Sequence, residues 1–93
     1  MDVMPELVGG LESLQKNLDY TPEAVEAGVE GRVIVRVIVD LDGTPRYAEC
    51  LRGPEVLCDA AVRAVEASTF TPGQQRGQTV RARYSVPVTF RLQ

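Results

Sequence analysis

Cys50 and Cys58 are the only cysteines in this 93-residue chain, and Gly53-Pro54 lies between them. The spacing is not that of a CxxC redox motif. The chain also has no histidine, so the common zinc set and the thiol–imidazole couple are both missing. Two readings of the pair stay open. If Cys50 ends a strand and Cys58 opens the next helix, the sulfurs come within disulfide range. Otherwise both are small buried hydrophobes. Asp40 and Asp42, beside Gly43, suggest calcium, but the further oxygen ligands and distal glutamate of an EF-hand loop are absent. Ser13, Ser68 and Ser85 have no base near them in sequence, and the glycines are too scattered for a phosphate-cradling loop. The expectation is a protein that binds rather than catalyses, with no metal and no cofactor.

The residues that remain must be placed by a small fold. At 44% hydrophobic and 25% charged, the composition is that of a folded chain, and this length supports one core. We read residues 1–93 as a single domain, with 1–8 a leader and 9–93 the folded core. No apolar run approaches the ~20 residues of a membrane helix, and no segment has the layout of a signal peptide. Net charge is −3, with −6 in residues 1–45 and +3 in residues 46–93. The acidic half argues against nucleic-acid binding through a broad basic surface.

Leu11, Leu14 and Leu18 recur at helical spacing and predict a short amphipathic helix, stopped before Pro22. Pro22 to Ala27 is helix-friendly, and Gly28 is suited to cap it. Val33, Val35, Val37 and Val39 then alternate with Arg32, Ile34, Arg36 and Ile38, which predicts a strand with a valine core face. Its second face, half apolar, awaits the leader, a second copy or a partner. Asp42-Gly43 marks a hairpin turn, and Arg46 to Arg52 returns. Leu57, Ala61, Ala64 and Ser68 form the stripe of a second helix that ends at Phe70-Thr71-Pro72-Gly73. Gln74 to Thr79 reads as a polar loop.

The last run, Val80 to Leu92, has period two throughout. Val80, Ala82, Tyr84, Val86, Val88, Phe90 and Leu92 face one way; Arg81, Arg83, Ser85, Pro87, Thr89 and Arg91 face the other. Pro87 cannot donate to a ladder, which places this strand at a sheet edge. The arginine face is either a solvated strand surface or one tuned to an acidic peptide. The whole predicts an α+β, two-layer fold: two helices on one face of a three-stranded antiparallel sheet.

With these elements in order, the chain resembles the C-terminal domain of TonB-family energy transducers. Pro5-Glu6-Leu7-Val8-Gly9-Gly10 is similar to the family's opening segment. Tyr20 and Val29-Glu30-Gly31-Arg32-Val33 match its tyrosine-proline and I/V-E-G-x-V pattern. Asp42-Gly43 matches the hairpin, and Leu57 and Asp59-Ala60-Ala61 the second helix. Phe70-Thr71-Pro72-Gly73 and Pro87-Val88-Thr89-Phe90 match the closing signature. Two features depart from the pattern. Thr21 stands where the family usually has proline, with Pro22 one position later, and the chain is acidic where well-known members are more basic.

The resemblance implies a periplasmic domain whose full-length protein is anchored in the inner membrane by a segment absent here. Through that segment it would meet a proton-channel complex driven by the proton-motive force. Its partner would be the TonB box of an outer-membrane transporter, taken by strand addition to the last strand. The residues expected to carry this are Arg81, Arg83, Tyr84, Ser85, Val86, Val88, Thr89 and Arg91. A periplasmic setting would favour oxidation of Cys50 and Cys58. The alternatives are a TonB-like peptide-docking module of another envelope protein, such as a sensor-type membrane peptidase, or a self-associating domain that pairs its edge with a second copy as a homodimer.

Overall fold

Val33, Val35, Val37 and Val39 are fully buried and sit at the centre of the molecule. The computed structural model describes residues 2–16, 18 and 20–91. The four valines lie on β2 (Gly31–Val39), the middle strand of a three-stranded antiparallel sheet ordered β3-β2-β7, with β3 at Pro45–Arg52 and β7 at Ala82–Phe90. β-Branched side chains suit a pleated face. Each valine contributes about 1.5–2 kcal/mol of transfer free energy on burial. Val86, Val88 and Phe90 of β7 extend the same apolar face.

Three helices accompany the sheet among the described residues: α1 (Gly10–Lys16), α2 (Pro22–Ala27) and α3 (Glu55–Glu66). Leu57, Ala60, Ala61, Ala64 and Val65 of α3 are buried, and their mostly small side chains let the helix lie close to the strands. Leu14 of α1 and Ala24 of α2 are fully buried in the same core. Among the described residues there are thus three helices, where two were expected. The difference is α2, which is short but capped at both ends. Thr21 is its N-cap and accepts a hydrogen bond from Ala24 N at 3.3 Å; Pro22 opens the first turn, and Gly28 ends it at φ +66°. Thr21 in place of the family's proline therefore has a local role of its own.

Two predictions about the C-terminal third are corrected. The run from Val80 onward is not one strand. It breaks at Arg81, and Gln78–Val80 forms β6, paired with β5 (Gly73–Gln75). The stretch Gln74 to Thr79 is therefore a hairpin rather than a loop. Arg76 and Gly77 both hold positive φ, as a type I′ turn requires. Leu92, the last position of that run, lies outside the described residues.

Residues 2–8 are built into the fold. Glu6–Leu7 forms β1 and pairs with β4 (Phe70–Thr71). Val3 bridges Gln74, exchanging backbone bonds of 3.0 and 2.8 Å, and Pro5 is buried. The Phe70 end is also locked to the β2–β3 turn. Phe70 N donates to Gly43 O at 3.1 Å. Gly43 sits at φ +86°, and a Cβ there would lie 1.9 Å from Phe70 O, so only glycine fits.

Candidate functional site

β2 is flanked by two edge strands of unlike construction. β3 meets β2 with register shifts between Ile34 and Val35 and between Arg36 and Ile38. Tyr47, in the second irregular stretch, has φ +55° and is 80% exposed. β3 is also tied to α3 by the Cys50–Cys58 disulfide, with Cα atoms 5.6 Å apart. β7, by contrast, pairs with β2 through nine consecutive positions, from Ala82 opposite Val39 to Phe90 opposite Gly31, with no shift. Among the described residues no other strand pairs with β7, and no backbone hydrogen bond outside the regular elements involves residues 82–88.

The period-two reading of β7 determines where its side chains go. Tyr84 is half-buried, and Val86 and Val88 are buried among the core residues, so these three turn their side chains away from the sheet's outer face. Arg83 and Ser85 are exposed on the opposite face, and Pro87 and Thr89 are half-buried there. Arg91 is exposed just past the strand's end. Two aromatic contacts hold the strand from its core side. Phe90 meets Tyr20 edge-on at 5.4 Å between ring centroids, and Tyr84 meets Phe70 at 6.2 Å. The Tyr20 hydroxyl donates to Val29 O, and burial, with Glu30 nearby, pushes its pKa up.

Arg81 does not belong to the strand and is not free. Its Nε donates to Asp40 Oδ1 at 2.8 Å, while Arg46 Nε reaches Asp40 Oδ2 at 2.5 Å. Leu41 N–H adds a third donor at 2.8 Å. The Arg81 bond, then the Leu41 and Arg46 bonds, hold the Asp40 carboxyl well below the usual carboxylate range. One acid thus links the starts of both edge strands. The sequence reading missed this cluster because its partners are 41 residues apart; the only signal was an acid at the very end of an apolar strand. Ile38, Asp40, Arg46, Tyr47 and Arg81 line a surface groove of about 360 Å³. Asp42, the other turn carboxylate, accepts from Thr44 N at 3.0 Å, which also lowers its pKa. Among the described residues no three metal-ligating side chains gather.

The outer face of the sheet is basic. Arg32 and Arg36 on β2, Arg46 and Arg52 on β3 and Arg83 on β7 share it, and Glu49 answers Arg36 in a cross-strand ion pair. The acids Glu12, Glu23, Glu26, Glu55, Asp59 and Glu66 lie on the helices. This difference between the layers cuts across the two halves of the chain, since Arg32 and Arg36 come from the acidic half and Glu55, Asp59 and Glu66 from the basic half.

A three-stranded antiparallel sheet with an open edge, backed by helices, makes this a two-layer α+β domain. The chain belongs to the family of Gram-negative bacterial TonB protein C-terminal domains, whose sequence profile matches residues 16–92. It is 34% identical to Protein tonB2 of Pseudomonas aeruginosa over 76 residues. That similarity covers 80% of this chain and 28% of the relative, so the chain corresponds to a little over a quarter of that protein's length. Among the described residues no helix is long and apolar enough to cross a membrane.

Proposed function

We propose that this domain is the gripping end of a TonB-type energy transducer. It works in the periplasm and takes the TonB box of an outer-membrane transporter as a fourth strand on β7. Through an inner-membrane anchor and its proton-channel complex, it passes proton-motive force to active uptake. No chemistry on a substrate is involved. The observation that carries this reading is the uninterrupted, unshifted register of β7 against β2 with its other side open. Main-chain bonds would supply the affinity, as in other cases of strand addition.

Successive residues of a strand send their N–H and C=O groups to alternate sides. A proline in an edge strand belongs with its missing donor outward. Arg83 and Ser85 share the alternate set of Pro87, so their N–H and C=O groups face the arriving segment. Tyr84, Val86 and Val88 bond to β2 and keep the rail straight. Arg81 is held by Asp40 and contributes to the shape of the sheet's end rather than to the grip. Thr89 and Arg91 mark the far limit of the rail. The Cys50–Cys58 bridge stiffens the opposite edge.

The test is a titration of ¹⁵N-labelled domain with a TonB-box peptide. Amide shifts are expected to concentrate at residues 82–90. Shifts confined to β3 or to the β5–β6 hairpin would sink the reading. A second copy is the competing occupant of the same edge, and light scattering over a concentration series separates the two.

A further inference from the structure

The register of the sheet lays out its outer face as rows that run from β3 across β2 to β7. One row is Arg46, Ile38, Arg83; the next is Glu49, Arg36, Ser85; the third is Arg52, Ile34, Pro87. A strand added beyond β7 lengthens each row by one side chain, because directly opposed residues share a face. The charges already present decide what each new place accepts. In the first row Arg46 is held by Asp40, and Arg83 stands at the rim with no carboxylate partner among the described residues. In the second row Arg36 is neutralised by Glu49, and the rim holds the small hydroxyl of Ser85. In the third row Ile34 and Pro87 present a half-buried apolar pair at the rim.

We propose that this face selects the arriving strand by its side chains. It takes an extended segment with a carboxylate opposite Arg83, a small polar residue opposite Ser85 and an aliphatic residue opposite Pro87, each two positions from the next. The inference rests on the reading of β7 as the strand-accepting edge. It also favours a foreign segment over a second copy. β7 carries no acid, so pairing two β7 edges brings Arg83 to a rim that offers no carboxylate in return.

Four nine-residue peptides test it against the labelled domain. Two carry Glu, Ser and Leu at alternate positions, one in that order and one in the reverse, to cover both directions of the added strand; the other two replace Glu with Lys. The better-binding order is expected to prefer Glu over Lys by about fivefold, the upper range for an exposed cross-strand charge pair. The preference should shrink at high salt and reverse with Arg83→Glu, or vanish with Arg83→Gln. Arg83 is exposed, and a thermal melt confirms that each variant folds. Equal affinity for Glu and Lys peptides, with β7 amides still perturbed, overturns the selectivity and leaves strand addition standing. No β7 perturbation by any peptide overturns strand addition and this inference with it.

Discussion

β3 and β7 border the same central strand and meet it in opposite ways. β3 carries two register shifts, a tyrosine at positive φ and a disulfide to the helix behind it. Bulges twist an edge and spoil it as a template for a further strand. β7 runs through nine matched positions and is interrupted only by the chemistry of Pro87. A sheet this small has two edges to protect, and here one is blunted while the other is left flat. The difference is the reason for proposing β7, and not β3, as the edge that takes a further strand.

The comparison breaks most severely at the turn that carries β3. Gly43→Ala adds a Cβ where Phe70 O already sits, at a φ that alanine resists. Its expected cost is about 3 kcal/mol or more, read from chemical denaturation. Next is the tether on the blunted edge. Replacing Cys50 and Cys58 by serine should cost about 2.5 kcal/mol by the loop-closure estimate for so short a ring. Peptide shifts on β7 should be unchanged, and if they collapse with the bridge, the two edges are not independent. The third variant acts on the flat edge alone. Ser85→Pro removes an outward donor, so peptide affinity should fall about tenfold, the loss of roughly one hydrogen bond, 1.4 kcal/mol. A melt close to that of the parent is expected. A large stability loss would mean that Ser85 bonds to β2 and that the assignment of sides is inverted.

The smallest effect concerns the acid that links both edges. Asp40 has a depressed pKa when folded, so its contribution is complete above its ordinary value of 3.8 and is lost as the pH falls toward the folded value. Asp40→Asn should lower the melting temperature slightly near neutrality and flatten the acid limb of the stability profile. An unchanged acid limb would show that the Arg46 and Arg81 contacts carry no net stability, as exposed ion pairs often do not.

Much of this was legible beforehand. The four valines of β2 and the alternation from Ala82 to Phe90 gave the core faces correctly, because side-chain direction in a strand follows a local period of two. Pro87 placed β7 at an edge for an equally local reason. The helix α2 was underweighted because six residues have little periodicity; its evidence lay in the caps at Thr21 and Gly28. The β5–β6 hairpin looked like a loop because its residues are polar on both faces and its turn, Arg76-Gly77, lacks the usual Asn or Asp.

The sequence by itself determined which residues face the core, where the chain turns at Asp42-Gly43, and to which family it belongs. Only the tertiary structure decided that Arg81 is bound to Asp40 while Arg83 stands free of any carboxylate among the described residues, and that β3 is irregular while β7 is not. Periodicity and turn chemistry are set between near neighbours. Ion pairs and strand register join residues tens of positions apart, and their outcome depends on which of several compatible pairings the packed core leaves in reach.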